Sequence, residues 1–410
     1  MSTEIDAARL RKARWGVSLL FLGNGAMWAN LVPRLPDIRE RLDVGYGAFG
    51  IAVSFASIGA IALGLLAATL IRRFGSARVA AATLALQAVA VSGAGLAPSV
   101  ILFGLFLFMN GALDSITDVA QNAHGLIVQK RMKRSIINGL HAMWSAGAAI
   151  GAFLGQTAVT LDLDITVHLG IAVVAFAGLA LIAKRLMLPD DSARPVEEEQ
   201  AAEDSAPRPR RVGIPAAAAV ALGMLGLVSI AGAAVEDAGF TWSSNYMADE
   251  VGAPKSVIGY ALVGLMALHF VGRITGDRLV DRFGERAVVR VGGLVTMLGM
   301  GAALAWPSVW GTILGFSLAG LGVATTVPIA FAASDNIPGL RHGTGVTITS
   351  WLLRISFLVG PPLVGAVADA TSLRAGLLVV PLCGLAVVLL AGSLSGRHEP
   401  ADAMQPRPIA

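Results

Sequence analysis

Asp281-Arg282-Phe283-Gly284-Glu285-Arg286 separates two long apolar runs, and Arg72-Arg73-Phe74-Gly75 separates two others, with Phe283 following Phe74 by 209 residues. A short charged turn closing on Phe-Gly, met twice at the same place in a hydrophobic pattern, indicates a chain that repeats itself. Outward from the two turns, runs of about 20 apolar residues bounded by charge, Pro or Gly account for most of the sequence. Six precede the midpoint, near Trp15 to Val32, Tyr46 to Ile71, Val79 to Leu96, Val100 to Val128, Ile136 to Thr157 and Thr166 to Met187. Six follow it, near Ile214 to Val235, Val257 to Leu279, Ala287 to Ala305, Val309 to Ala333, Gly343 to Val367 and Leu373 to Leu394. Between them Pro189 to Arg211, with Pro, Glu, Ala and Arg and almost no large apolar residues, reads as a flexible linker.

Composition points the same way. The 410 residues are 55% hydrophobic and 14% charged, with mean hydropathy +0.71. Soluble domains carry roughly 25% charged residues, so this chain lacks the polar side chains to cover a soluble globule. The expected fold class is an all-α membrane protein with twelve transmembrane helices in two six-helix pseudo-symmetric bundles. Its expected divisions are 1–188, a linker at 189–211, 212–396 and a tail at 397–410. The first run leads into Pro33-Arg34-Leu35-Pro36 without a small-residue cleavage pattern, so the amino terminus is expected to be retained. Cys383, the one cysteine, excludes disulfides within the chain and cysteine metal sites. The net charge of +4 and pI near 9.6 do not point to nucleic acid, because the basic residues are spread over short connections. Of the 31 Lys and Arg, twenty-four fall on the side of the amino terminus, and Arg34, Arg39, Arg41, Lys255 and Arg374 fall on the other. That bias puts both termini and the linker in the cytoplasm.

Two six-helix halves joined by a cytoplasmic linker resemble the major facilitator superfamily, and the Asp281 to Arg286 element is similar to its loop signature. In the first half Arg72 takes the place of the signature's Asp, and Ser76 and Ala77 replace basic positions. Asn24-Gly25-Ala26-Met27-Trp28-Ala29-Asn30 with Pro33-Arg34-Leu35-Pro36-Asp37, Asp118-Val119-Ala120-Gln121-Asn122-Ala123-His124-Gly125, and Gly360-Pro361-Pro362 resemble the rhizopine-permease-like branch and, more distantly, fucose permeases. The resemblance spans essentially the whole chain. It implies a secondary active transporter, not an enzyme, in the bacterial cytoplasmic (inner) membrane. It assigns gating to Arg72, Arg73, Gly75, Asp281, Arg282, Gly284 and Arg286.

The fourth run carries Asp114, Asp118 and Asn122 at intervals of four, which stacks them on one helix face. A carboxylate at mid-membrane costs about 2.5 to 3.5 kcal/mol on insertion scales, so it should face a water-filled cavity. There it would carry a proton or bind substrate hydroxyls and amines; alternatively Asp114 caps a break after Gly111 and Asp118 ties neighbouring helices together. Asn24 and Trp28, one turn apart, pair an amide with an indole, which suits a sugar-like or amine-bearing ligand. Trp15 reads as an interface anchor. Glu236, Asp237, Trp242, Asn245 and Tyr246 follow the apolar part of the seventh run. The resemblance implies a discontinuous seventh helix that puts them at the outer mouth, with Glu236 as a second titrating group; the alternative is that the helix has ended and both acids are solvated. Arg354, with Thr347 and Ser350 at helical spacing, requires a carboxylate partner among Asp114, Asp118 and Glu236. Arg273 and Asp277 read as a structural pair working with the gate. His141 and Trp144 open the fifth run, whose Gly147, Gly151 and Gly155 suit close helix packing.

The six His show no metal spacing, and no phosphate-cradling loop or nucleophile elbow is present, so no metal, cofactor or ATP-driven chemistry is expected. The candidate substrate contacts are Asn24, Trp28, Asp114, Asp118, Asn122, Trp242 and Arg354, with proton coupling at Asp118 and Glu236. The expected function is transport of a small polar metabolite, sugar or cyclitol-like, by proton symport. The expected partners are that solute, a proton and the lipid bilayer, with the chain acting as a monomer. Proton-antiport efflux and a non-transporting sensor are the rival readings.

Overall fold

The computed structural model describes residues 7–189, 214–338, 340 and 343–394; the linker beyond Pro189, the tail and Arg341 lie outside the described residues. Every regular element among them is helical. The first set is α1 (Ala7–Leu31), a 3-10 turn at Val32–Arg34, α2 (Leu35–Arg41), α3 (Tyr46–Gly64), α4 (Ala67–Phe74), α5 (Ser76–Leu96), α6 (Val100–Met132), α7 (Ile137–Thr160) and α8 (Ile165–Leu186). The second set is α9 (Ala216–Asn245), a π turn at Tyr246–Glu250, α10 (Tyr260–Phe283), α11 (Glu285–Ala305), α12 (Val309–Val323), α13 (Thr326–Asp335), α14 (Thr344–Ala370), α15 (Leu373–Gly376) and α16 (Val379–Leu390).

Nine spans among the described residues are long and apolar enough to cross a membrane. The helices outside that count include α1, α7 and α10, of 25, 24 and 24 residues. These three carry Asn24, Trp144 and Arg273, polar or amphipathic residues that turn inward and lower a window average without shortening the helix. Leu86, Val89, Ile101, Val174, Leu298 and Leu389 are exposed, as an apolar solvent allows. Trp15, Trp306 and Trp310 are exposed at the edges of apolar runs, where amphipathic rings meet headgroups. The protein is a multi-pass membrane protein.

The 209-residue echo has a backbone counterpart. Gly75 and Gly284 hold φ of 85° and 83° with ψ of 152° and 155°, a region closed to residues with a Cβ. Ser99 and Ser308 are extended N-caps whose side chains accept from Leu102 N at 3.3 Å and Gly311 N at 3.2 Å. Pairings recur too: α3 on α6 is matched by α10 on α12, α1 on α7 by α9 on α14, and α5 on α8 by α11 on α16. Between the sets, α3 packs on α14 and α7 on α10.

Several expected boundaries change. The second apolar run is two helices, interrupted at Leu65-Leu66, and the tenth is interrupted at Ala324-Thr325. The seventh run does not end at Val235, and no break separates Glu236 and Asp237 from it. α9 continues as one helix to Asn245, because backbone hydrogen bonding tolerates charged side chains that face a cavity. Gly147, Gly151 and Gly155 bear directly on α1: a Cβ at each would stand 2.0 to 2.2 Å from the carbonyl oxygens of Leu22, Ala26 and Asn30. This close seam lies within the first set, not between the two.

Candidate functional site

Between the sets lies a cavity of about 490 Å³, lined from α1, α3, α5, α6, α7, α9, α13 and α14. Asn24 and Trp28 line it, as do Asp114 and Asp118, Glu236 and Asp237, and Arg354. The helix periodicity explains the first of these placements: positions four apart on α1 and on α6 share a face, and that face looks inward.

Asp114 is the centre of a bonded cluster. Its Oδ1 accepts from Asn24 Nδ2 at 2.7 Å and from Gln87 Nε2 at 3.0 Å, and Trp144 Nε1 donates to Asn24 Oδ1 at 2.9 Å. Four helices, α1, α5, α6 and α7, thus meet at one carboxyl group. Asp114 caps no break after Gly111, since α6 is continuous from Val100 to Met132. Asp118 makes its side-chain bonds along its own helix, accepting from Asn122 Nδ2 at 3.0 Å and Gln121 Nε2 at 3.3 Å. It is exposed to the cavity, whereas Asp114 is half-buried. Asn122 is absent from the cavity wall; it also donates to Asp118 O at 2.9 Å and so holds Asp118 from behind.

Arg354 reaches the cavity from α14 with its guanidinium 5.8 Å from the Trp351 ring centroid. Among the described residues no carboxylate lies within 4 Å of it, so the expected ion pair is not formed in this conformation. Half-exposed, Arg354 lines the same cavity as Asp114 and Asp118 without touching either. The expected Arg273–Asp277 pair is also replaced. Arg273 Nη1 donates to His141 O at 3.1 Å, and Asp277 Oδ2 accepts from Asn138 Nδ2 at 3.3 Å. Both therefore reach from α10 to α7 in the other set.

Trp242 is fully buried outside the cavity wall. It belongs to an aromatic plug with Phe49 (6.0 Å between centroids), Tyr46 (6.0 Å) and, through Phe49, Phe103 (5.4 Å, stacked). Beyond the plug the two sets are tied by Arg39–Asp249 at 2.9 Å, Tyr46 Oη to Asp249 at 2.8 Å and Lys255–Asp37 at 2.7 Å. Asp369 of α14 accepts from Tyr46 N and Gly47 N at 2.8 and 2.9 Å, capping α3 across the seam. One end of the cavity is sealed.

The Phe-Gly turns lie at the opposite end. Arg73 and Arg282 sit over the neighbouring rings of Phe74 and Phe283 at 5.2 and 5.3 Å. Arg72 Nη2 donates to Thr69 Oγ1 at 3.1 Å, within α4. Arg286 Nη2 donates to Leu394 O at 2.8 Å and anchors the turn to the end of the second set. Asp281 and Arg282 are exposed.

Sequence reasoning passed over Gln87 and assigned Trp144 only to packing. Gln87 had a signal, the one large polar side chain of α5 beyond Arg78 in its first turn. Trp144 had none, because its partner lies 120 residues away.

Comparison with known proteins adds the family. The Major Facilitator Superfamily profile matches residues 17–248 and 224–408. The chain is 28% identical over 378 residues to the uncharacterized transporter y4wD of Sinorhizobium fredii, covering 92% of this chain and 96% of that protein. It is 27% identical over 399 residues to the membrane protein MosC of Rhizobium meliloti, covering 96% and 91%. In fold it is similar to a D-xylose-proton symporter (TM-score 0.68, 14% identity, 92% and 96% covered). The fucose:proton symporter of E. coli is also similar (TM-score 0.57, 18% identity, 94% and 98% covered). With the profile covering residues 17–408, this chain belongs to the Major Facilitator Superfamily of membrane transporters and is not an enzyme.

Proposed function

We propose that this chain moves a small polar metabolite, sugar or cyclitol-like, across the bacterial inner membrane by alternating access, coupled to protons. The observation that carries the reading is the cavity between the two sets, lined by Asp114, Asp118, Glu236, Asp237 and Arg354 and sealed at one end. Twelve spans in two six-helix bundles, residues 1–188 and 212–396 about a cytoplasmic linker, suit rocking of one bundle against the other around that site. With both termini cytoplasmic, as the basic bias favours, the sealed end is the outer one and the cavity faces inward. Asp118 takes a proton from water on one side and returns it to water on the other; Glu236 is a second carrier from the opposite bundle. Asn24, Trp28 and Arg354 bind the solute, and the Phe-Gly turns, with Arg72, Arg73, Asp281, Arg282 and Arg286, act in the inner gate. The chain works as a monomer, with no nucleic-acid partner. A xylose and a fucose symporter among the similar structures support a hydroxyl-bearing solute.

Efflux of an aromatic or cationic compound is a second reading, favoured by Trp28, Trp144, Phe240, Phe331 and Phe357 on the wall. A thermal-shift screen of sugars, cyclitols, nucleosides and amphipathic cations on the purified protein, followed by proteoliposome flux under an imposed pH gradient, separates the two. Stabilisation and gradient-driven accumulation of a polyol is the expected result. Stabilisation by cations alone favours efflux, and no flux of any solute removes transport.

A further inference from the structure

Trp144 is bonded within one set and packed against the other. Its indole N–H, a donor only, meets Asn24 Oδ1 at 2.9 Å. That contact decides which way the Asn24 amide points. Because the carbonyl end must face the indole, the amino end faces Asp114 Oδ1, at 2.7 Å. Trp144 thus holds, through Asn24, one of the two donors on the Asp114 carboxyl group.

The other surfaces of the same ring touch α9 and α10. The Arg273 guanidinium lies 5.9 Å from the ring centroid, and the Phe240 ring centre lies 6.1 Å away at 57°. Arg273 is also bonded to α7 one turn earlier, at His141 O. Any sliding of α10 along α7 therefore moves the cation over the indole, and any turn of the indole moves the donor on Asp114.

We propose that Trp144 is a positioning residue that links the Asp114 cluster to the contact between α7 and α10. The arrangement of donors around Asp114 and the separation of the two sets at the Phe-Gly end are then one event. The link deepens the transport reading and rests on it for its use, but its test needs no solute.

Spin labels at Lys133→Cys and Arg278→Cys, both exposed and near the Asn138–Asp277 contact, report the separation in a Cys383→Ser chain held in lipid nanodiscs. Asp114→Asn is combined with Trp144→Phe, which keeps an aromatic ring, though a smaller one, and loses the N–H, in a double-mutant cycle. With Trp144 present, Asp114→Asn is expected to change the ratio of near to far populations about fivefold, the lower end of allosteric couplings. In Trp144→Phe the change falls below about twofold, the range of independent sites. Asn24→Ala, which removes the middle of the link and spares the indole, gives the same loss. An equal shift with and without the N–H, or no shift anywhere, overturns the link. The two ideas fail separately: linked shifts without flux of any solute sink transport, and flux with unlinked shifts sinks the link.

Discussion

Two carboxyl groups one helical turn apart are set up for different work. Asp114 is tied to Asn24 and Gln87 from two other helices, while Asp118 is held only by its own helix and opens on the cavity. A group that must meet water on alternate sides needs the second arrangement. Asp118→Asn keeps size and hydrogen bonding but cannot titrate, so it is expected to abolish accumulation driven by a pH gradient while ligand binding survives. Accumulation in proteoliposomes equal to that of the unaltered protein would remove Asp118 from coupling. Both acids were legible in the sequence, because a charge in an apolar run is costly and so conspicuous. The partners of Asp114 were not, since Gln87 and Trp144 acquire their roles from side chains far away in the chain.

At the scale of an element, α7 shows what small residues do. Gly147, Gly151 and Gly155 let its backbone lie against the carbonyls of α1, and the approach recurs by the repeat, with Gly111 against Ala56 O and Gly320 against Leu265 O. Gly151→Ala puts a methyl where the Ala26 carbonyl stands, so it is expected to destabilise the protein by about 1 to 3 kcal/mol. Gly178→Ala in α8, where nothing lies within 4 Å, is expected to be neutral or to stabilise by up to about 1 kcal/mol. Thermal unfolding in detergent compares them; equal behaviour would count against the close seam. The spacing of these glycines was readable, but their partner helix was not.

For the molecule as a whole, the sealed end sets which way the cavity opens. Asp369 caps a helix of the other set with two bonds. Its removal in Asp369→Ala is expected to cost that closure about 1 to 2 kcal/mol, a factor of 5 to 30 in population. Distance measurements between labels across this end should then show opening; an unchanged distribution would exclude the cap as a latch. Lys255 adds a smaller, pH-dependent part. Its hydrogen bond to Asp37 raises the ammonium above the usual lysine range, helped by the charges of Asp37, Glu40 and Asp162. A raised value means the contribution is complete below the ordinary lysine pKa and is lost as pH rises through the higher one. With the Lys255 side chain 74% exposed, the effect should stay within a few tenths of a kcal/mol, and Lys255→Met should remove the alkaline part of the opening curve.

The sequence by itself determined the solvent, the helices and the repeat. Apolar runs of bilayer length must satisfy their backbone internally, and a Phe-Gly turn at a fixed offset survives as a local backbone geometry. It also determined which face of α6 is polar, because helical periodicity needs no knowledge of neighbours. The tertiary structure decided the rest. Trp242, expected at the ligand, lies in the plug; Arg354 stands clear of the acids; Glu236 and Asp237 continue an unbroken helix into the cavity. Each of these outcomes depends on what another helix presents at a distance of a few ångströms, and pairing between segments leaves no mark in the order of residues along one of them.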